Sequence, residues 1–386
     1  MPVSPLDRII DARVNARAAG VARVVIGLAA AIKALVLAPV LARFADPDVL
    51  RVPYVEWLPA VTDLPAGLVL GAWLLVAGAF TIGLWTTMAG AALTIILGAV
   101  LLADQQLYSN HLYLLTLLVG LLTVARAGSA VSVDARRGGG RDTVRGWAPW
   151  LIRVQVSVVY LFAGLSKLNG TFISGTVVAV TLRSDGPLAI PAGWRTFEPM
   201  ATVAILAILT ELFLAVALWL PAWRRTAFVV GLGLHLAIAL WFVPTAELVV
   251  FGLITLAPYL FFLPAPVHGA VVVWDDSCGF CRDWVTLFRR LDWLAALQFV
   301  PSSDARALAE LDIPRSDADQ ALQLVAHGRR EQGFRAVVGV LEHTPIAFLW
   351  APLLRLPPIA WIGDRVYRRV AARRSCTLPT PGEDRP

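Results

Sequence analysis

Long apolar stretches alternate with short polar ones over the first two thirds of the chain. A helix needs about 20 predominantly apolar residues to cross the roughly 30 Å hydrocarbon layer of a bilayer. The pattern predicts about eight such spans, the fourth of them short, near residues 21–42, 66–85, 87–107, 112–125, 150–168, 200–220, 226–243 and 246–263. We therefore expect an α-helical polytopic membrane bundle, with the loop 169–199 as a cap on its outer surface.

The pattern changes beyond residue 269. Residues 270–274 (AVVVW) have the pattern of a buried strand, and they precede a cysteine pair and an amphipathic helix. Further strands are predicted at 297–300 and 321–326, with a helix at 305–311 between them and two added helices at 350–356 and 361–374. This order is typical of a thioredoxin-like α/β domain. The predicted domains are a membrane domain over 1–265 and an α/β domain over 270–386.

Composition and charge agree with a membrane protein. The chain is 58% hydrophobic and only 16% charged, with a mean hydropathy of +0.70, which excludes an ordinary water-soluble protein. The net charge is +6, but the sequence shows no basic face interleaved with aromatic residues, so we expect no nucleic acid partner. Only Lys33 and Lys167 are lysine, an arginine bias typical of GC-rich bacterial genomes.

Arginine in short loops predicts the orientation, because cytoplasmic loops carry the excess of positive charge. With eight spans and a cytoplasmic N-terminus, the C-terminal domain is cytoplasmic too, and the lipid bilayer of the cell membrane is the first partner. The inside segments then hold Arg8, Arg13, Arg17, Arg23, Arg126, Arg136, Arg137, Arg141, Arg145, Arg224 and Arg225, and the outside segments hold Arg43, Arg51, Arg183 and Arg195.

The cysteine pair Cys278-Gly279-Phe280-Cys281 stands between the first strand and the helix of the α/β domain. The helix N-terminus stabilises a thiolate at the first cysteine, and the second lies one turn on, close enough to resolve a mixed disulfide. We expect Cys278 to be the more exposed and more acidic attacking thiol. The negative charges of Asp275 and Asp276 disfavour the thiolate, so the acidity of the Cys278 thiol should be modest. Arg282 is the nearest cation that could offset these two carboxylates.

Two other interpretations of the pair stay open. A zinc site needs further ligands, and the domain offers only Cys376, His268, His327 and His343, none at the spacing of a zinc ribbon. We therefore expect no metal. A merely buried pair remains an alternative, and Cys376 is either an unpaired tail cysteine or a resolving partner.

The stretch WDDSCGFC at 274–281 resembles the DCC family of thiol-disulfide oxidoreductases, whose usual motif is YDGDCGFC. Asp275, Cys278 and Cys281 match the motif, whereas Asp276 and Ser277 replace its Gly and Asp. The family's arginine-rich C-terminal helix is matched by residues 365–371. The resemblance implies a thioredoxin-like fold and a redox activity in which the three matching residues take part.

Ionisable side chains within spans are costly and mark pathways or sites. For Arg153 and Lys33 the simplest expectation is that each extends to the head groups. For Lys167, a desolvated amine that acts as a base and an interfacial anchor are both open, and for His235 a polar contact between helices is the simpler interpretation. The full set in or near the helices is Lys33, Asp104, His111, Arg153, Lys167, Glu211 and His235.

Three stretches resemble the HTTM family, to which the vitamin K-dependent gamma-glutamyl carboxylase belongs: SNHLYLL at 109–115, YLFAGLSKL at 160–168 and GLH at 233–235. The resemblance implies that Lys167 is the base that deprotonates reduced vitamin K and that His111 and His235 are polar site residues. The carboxylase's lumenal substrate-holding region is replaced here by the DCC-like domain, so glutamate carboxylation is not implied. A quinone-like lipid near Lys167, Glu211 and His235 remains open.

Three functions compete at this point. The first is an integral-membrane thiol-disulfide oxidoreductase that uses a cytoplasmic CxxC with a cytoplasmic thiol redox protein as its partner. The second is a quinone-dependent membrane enzyme centred on Lys167. The third is a non-catalytic membrane scaffold.

Overall fold

The structure is a computed structural model that describes residues 12–373 except 45, 47, 55, 57–60, 185–188, 195, 244 and 265. Arg8, Arg195 and Cys376, which entered the sequence argument, lie outside the described residues. The chain divides into two compact units, residues 1–262 and residues 263–386.

The first unit is helical. Strands β1 (Arg13–Asn15) and β2 (Thr143–Arg145) form a short antiparallel ribbon at the base of the helices that follow them. The helices are α1 (Ala16–Arg43), α2 (Ala66–Ile82), α3 (Thr86–Ala103), α4 (Asn110–Val124), α5 (Trp147–Ser166), α6 (Gly170–Ile173), α7 (Thr176–Thr181), α8 (Phe197–Ala217), α9 (Arg224–Trp241) and α10 (Thr245–Leu256), the last continued by a 3₁₀ segment at Ala257–Phe262.

Each of the eight predicted apolar segments is helical in the part of the chain that the structure describes. Five helices are long and apolar enough to cross a membrane: α1, α3, α5, α8 and α9. The other three apolar segments, Ala66–Ile82, Asn110–Val124 and Ala246–Phe262, are shorter. The membrane character of this unit follows from these helices, and the count of eight spans stays a prediction.

Small residues let α1 pack closely against its neighbours, as membrane helices commonly do. A Cβ atom at Gly27 would collide with Thr81 of α2, and one at Gly20 would approach the Ala130 carbonyl at 2.5 Å. Arg23, also on α1, is fully buried and donates to the carbonyl oxygens of Ala127, Thr81 and Val131 at 3.3, 3.3 and 2.6 Å. A residue counted among the orienting arginines thus ties α1 to two neighbouring segments.

The second unit is an α/β domain. Its elements are β3 (Ala270–Trp274), α11 (Gly279–Leu291), β4 (Leu297–Pro301), α12 (Ala305–Glu310), α13 (Arg315–Gln320), β5 (Gln323–Ala326), β6 (Arg329–Gln332), α14 (Phe334–His343), a 3₁₀ segment at Ala351–Arg355 and α15 (Pro357–Ala372). The sheet order is β4-β3-β5-β6, with β3 parallel to β4 and antiparallel to β5. The cysteine pair follows β3, a central strand of the sheet.

Strand β6 was not predicted, and its residues show why. Arg-Arg-Glu-Gln carries no apolar alternation, so the pattern gave no strand signal. The turn before it, His327-Gly328, has both residues at positive φ (52° and 70°), the geometry of a two-residue hairpin. One core cluster of this unit lies between the sheet and helices α11 and α14, where Val272, Phe288 and Ala336 are buried. A second cluster joins Val273 to Leu308 of α12 and Ala318 of α13.

Candidate functional site

Lys167 and Glu211 form an ion pair between α5 and α8. Lys167 caps the C-terminus of α5, and its Nζ lies 2.8 Å from both carboxylate oxygens of Glu211 and 3.1 Å from the Ala163 carbonyl oxygen. Glu211 is buried, and Lys167 is one-quarter exposed. Gly164 allows this approach, because a Cβ atom there would lie 2.9 Å from the Leu212 side chain on α8. The pair places a charged hydrogen-bond donor and acceptor between two apolar helices of the bundle.

A second charged cluster joins α1, α10 and α4. Lys33 donates to both Glu247 oxygens at 2.7 Å, and His111 Nδ1 lies 3.6 Å from Glu247 Oε2. The expectation that Lys33 reaches the head groups is wrong, because its side chain is only 1% exposed and is held by this carboxylate. Glu247 therefore links a buried ammonium to the imidazole of His111.

His235 lies in a third, uncharged network. Tyr160 OH is 2.9 Å from His235 Nε2 and 2.8 Å from Tyr259 OH, and the Thr255 hydroxyl is 3.0 Å from His235 Nε2. These groups are buried, so each hydrogen bond replaces one that water would make. This arrangement is the polar contact between helices that was the simpler expectation for His235.

A cleft of about 820 Å³ joins the first two clusters. Lys167, Glu211 and His111 lie in its wall, and most of the remaining wall is apolar. His235 is not in the wall but contacts Phe251, whose ring stacks on His111 at 4.7 Å and lies 5.2 Å from the His235 ring. Among the exposed apolar side chains of the cleft are Trp194, Val203, Leu206, Trp241 and Val243.

Asp104 and Arg153, two more of the ionisable residues predicted in or near the helices, have local structural contacts. The Asp104 carboxylate accepts from the Gln106 and Val52 amides at 2.8 and 2.6 Å. The Arg153 guanidinium lies over the rings of Trp219 and Phe262, at 5.2 and 4.8 Å. Neither residue lies in the wall of the cleft.

The cysteine pair lies at the junction of β3 and α11. Cys278 is the N-cap of α11, and its carbonyl accepts from the Arg282 amide at 3.1 Å. The two sulfur atoms and a carboxylate oxygen of Asp275 all lie within 4.8 Å of one another. The expected exposure is wrong: Cys278 is buried at 1% exposure, whereas Cys281 is partly exposed. Capping the helix places Cys278 under the turn and leaves Cys281 on the accessible side.

The two aspartates of the motif stabilise the turn. Asp275 Oδ1 accepts from the amide and hydroxyl of Ser277, at 3.0 and 2.6 Å. Asp276 accepts from the Ser302 and Ser303 hydroxyls and the Ser303 amide at 2.7–3.1 Å, which ties the turn to the end of β4. Arg282 donates to the backbone carbonyl of Asp276 at 3.2 Å.

The electrostatics of Asp276 follow from these contacts. Burial raises its pKa, but hydrogen bonds from Ser303 and Ser302 favour the carboxylate more strongly, and the resulting pKa is below the ordinary value. Asp276 therefore keeps its negative charge close to the cysteine turn at neutral pH.

The same cluster has the donor atoms of a metal site. Asp275, Cys278 and Cys281 offer one oxygen and two sulfurs, which are ligands that zinc accepts. This group has three members, whereas a closed structural zinc site has four. Cys376, a candidate further ligand, lies outside the described residues, so the three donors are those that the described part of the chain brings together.

The HTTM domain matches residues 12–265. The chain belongs to the HTTM family. DCC1-like thiol-disulfide oxidoreductase matches residues 272–377, in the order expected from the two motifs. No curated protein and no solved structure matches the chain.

The HTTM match contains the cleft with Lys167 and Glu211, and the DCC1-like match contains Cys278 and Cys281. The apolar helices and the two domains together indicate a membrane protein that carries a redox domain.

Sequence reasoning missed Glu247 in the HTTM unit. It lies in the first turn of α10, at the edge of an apolar run, where an acid resembles an ordinary loop residue. Its pairing with Lys33 brings together residues 214 positions apart, and a single sequence gives no signal for such a contact. Tyr160 and Tyr259 were missed as a pair for the same reason, although Tyr160 begins the YLFAGLSKL stretch.

The Lys167–Glu211 pair predicts strong coupling in the HTTM unit. Removing one partner leaves a buried charge without compensation, so Lys167→Met or Glu211→Met should each lower the free energy of unfolding by about 3 kcal/mol. The double variant should lose much less free energy of unfolding than the sum of the losses in the two single variants, because an apolar pair replaces an ionic one. Titration of mixed micelles with dodecyl sulfate measures all three variants. The exposed pair Arg306/Glu310 is the control, with an expected coupling of only about 0.5 kcal/mol; additive effects at Lys167 and Glu211 would contradict a structural ion pair.

The low pKa of Asp276 predicts a pH dependence for the DCC1-like unit. Because the folded pKa is below the unfolded one, the stabilisation is fully present above the unfolded value of about 3.9 and is lost as the pH falls through the folded pKa. Asp276→Asn should therefore be less stable than the native chain at neutral pH, and the difference should shrink in acid. Hydrogen exchange of β3 and β4 peptides measures this. An equal difference at both pH values would show that the carboxylate charge contributes nothing.

Proposed function

We propose that this protein is an integral-membrane thiol-disulfide oxidoreductase. The observation that carries the proposal is the cluster of Cys278, Cys281 and Asp275 within 4.8 Å, at the N-terminus of α11 in a DCC1-like unit. The helix N-terminus favours the thiolate of Cys278, and the sulfur atoms are close enough to exchange a disulfide.

The difference in burial between Cys278 and Cys281 supports an order for the two steps of the exchange. A partner's disulfide must reach the attacking sulfur, and Cys281 is the accessible one. The Cys281 thiolate attacks one sulfur of the partner's disulfide, a mixed disulfide forms, and the partner's other sulfur leaves as a thiolate. The Cys278 thiolate then attacks Cys281 and releases the second partner sulfur. The chain ends with a Cys278–Cys281 disulfide, and the partner has gained two electrons.

This order makes a prediction about trapping. Cys278→Ser should accumulate a mixed disulfide with a small aromatic disulfide such as dithiobis-nitrobenzoate, because Cys281 can attack but nothing resolves the product. Cys281→Ser should react much more slowly, because Cys278 is buried. Mass spectrometry of the intact full chain after timed quenching distinguishes the two, with Cys376→Ser in both variants to remove the third thiol.

The native chain with Cys376→Ser is the control, and it should release both halves of the reagent and form an internal disulfide. Faster trapping in Cys281→Ser would overturn the order and restore Cys278 as the attacking thiol. Absence of trapping in both variants would overturn the function itself.

The Asp275 carboxylate should set the pH range of the exchange. A negative charge within 4.8 Å of both sulfurs disfavours the thiolate. Asp275→Asn should therefore move the half-maximal rate of Cys281 alkylation to lower pH, while the amide oxygen can still accept from Ser277. A rate profile that does not move would remove Asp275 from the site.

The proposal also places the CxxC in the cytoplasm of the cell, where a soluble thiol redox protein is its partner. Its support is the excess of arginine in the segments assigned to the inside, among them Arg136, Arg137 and Arg145. In intact cells an impermeant maleimide should label Cys281 only after permeabilisation. Rapid labelling before permeabilisation would reverse the orientation.

A second candidate function has its own observation, the apolar cleft of about 820 Å³ with Lys167, Glu211 and His111 in its wall. These groups would suit a quinone-like lipid, whose ring lies among apolar side chains while its oxygens meet the charged donors. Lys167, paired with Glu211, is a hydrogen-bond donor. To act as the base that the HTTM resemblance implies, its ammonium must first give up a proton.

This candidate predicts a binding difference between two variants. Lys167→Met should weaken binding of a short-chain naphthoquinone by roughly tenfold, the typical effect of losing one charged hydrogen bond, whereas Lys167→Arg should retain most of the affinity. Titration calorimetry of the full chain in nanodiscs measures both. Equal binding by the native chain and the methionine variant would exclude Lys167 from the site, and a non-catalytic scaffold would show neither quinone binding nor thiol exchange.

A further inference from the structure

The DCC1-like unit has an apolar groove between α11 and α15, with a volume of about 410 Å³. Cys281 and Asp275 lie at its wall. The apolar side chains that define this α11/α15 groove are Phe280, Trp284, Ile359, Ile362, Val366 and Val370.

The walls of the groove are unusually exposed for apolar side chains. Ile362 is 55% exposed and Val366 53%, and Phe280 and Trp284 on the opposite helix are exposed as well. Contiguous exposed apolar surface on a folded unit marks an interaction site more often than chance exposure. The groove therefore has the exposed apolar character of an interaction surface.

Cations flank the same surface. On α15, Arg365 and Arg369 are exposed and stand in the sequence next to the apolar stripe of Ile362, Val366 and Val370. The Arg365 guanidinium lies 3.6 Å from the centre of the Trp361 ring. The helix carries a single acid, Asp364, which is partly buried. An amphipathic helix with tryptophan and apolar residues beside arginines has the composition of helices that lie in a membrane interface.

The chain itself keeps this unit close to a bilayer. Seven residues separate Phe262, the end of the last apolar segment, from Ala270, the start of β3, so the two are eight steps apart along the chain. A fully extended segment of that length spans at most about 26 Å. Anionic lipid is therefore always within reach, and its charge complements the arginines.

We propose that the α11/α15 groove docks the DCC1-like unit on an anionic bilayer surface. The apolar stripe and Trp361 enter the interfacial region, an acyl chain occupies the groove, and the arginines contact lipid phosphates. Docking in this way covers Cys281, so exchange with a soluble partner takes place in the undocked state. The proposal does not depend on the redox role of the cysteines, because five of the six apolar side chains that define the groove lie outside the CxxC.

The test uses the full chain in nanodiscs, with all three cysteines replaced by serine and Ile362→Cys carrying a nitroxide. Collision rates with oxygen and with an aqueous nickel chelate report lipid and water contact. In phosphatidylglycerol-containing discs the label should show the lipid pattern, and in pure phosphatidylcholine it should move toward the aqueous one. This comparison changes only the lipid and so does not depend on whether a further variant folds.

Charge reversal supplies the matched control. Arg365→Glu with Arg369→Glu should shift the docking equilibrium toward the aqueous state by at least roughly twenty-fivefold, since each arginine lost near an anionic surface costs about a factor of five and the added carboxylates are repelled. Arg306→Glu with Arg315→Glu changes the same charge at exposed positions of the unit outside the groove and should have a much smaller effect.

Three results would overturn the proposal. The first is that, in anionic discs, the label at residue 362 is as accessible to the nickel chelate as a label at residue 306. The second is an equal response to both charge reversals. The third is dipolar coupling between labels on two chains, which would show that a second copy covers the groove.

Discussion

The membrane unit depends on one constraint: an ionised side chain within an apolar bundle must have charged or polar partners that replace water. The cost of an isolated charge in hydrocarbon exceeds that of almost any packing defect. Lys167 meets the constraint through Glu211, and Lys33 through Glu247. Each pair joins helices that are distant in sequence, so the charges fix which helices are neighbours. The cleft has Lys167 and Glu211 in its wall, together with His111, which lies next to Glu247.

The same constraint explains why the cleft is chemically unusual. Its wall is apolar except at the charged groups that the bundle already needs, and behind it His235 is hydrogen-bonded within a network of hydroxyls. Phe251 separates this network from His111. A ligand in the cleft would therefore meet positioned polar groups at a few points and apolar surface elsewhere, which is the usual composition of a small-molecule site.

Sequence patterns predicted the features that depend on local periodicity. The eight apolar helices, strands β3, β4 and β5, and the position of the CxxC before α11 all have local signals. Strand β6 lacks one because its side chains are polar, and it forms because β5 offers it an edge. The Lys33–Glu247 contact and the burial of Cys278 arise from tertiary packing, which a single sequence does not encode in any short window. Sequence patterns thus suggest candidate site residues more readily than they predict the contacts or exposures of those residues.

The central claim is that Cys278 and Cys281 interconvert between dithiol and disulfide. The most direct measurement equilibrates the full chain, with Cys376→Ser, in thiol redox buffers between about −320 and −180 mV and quantifies the linked peptide by mass spectrometry. The account predicts a single two-electron transition that either Cys278→Ser or Cys281→Ser abolishes. A pair that stays reduced throughout this range, with both thiols intact, would contradict it.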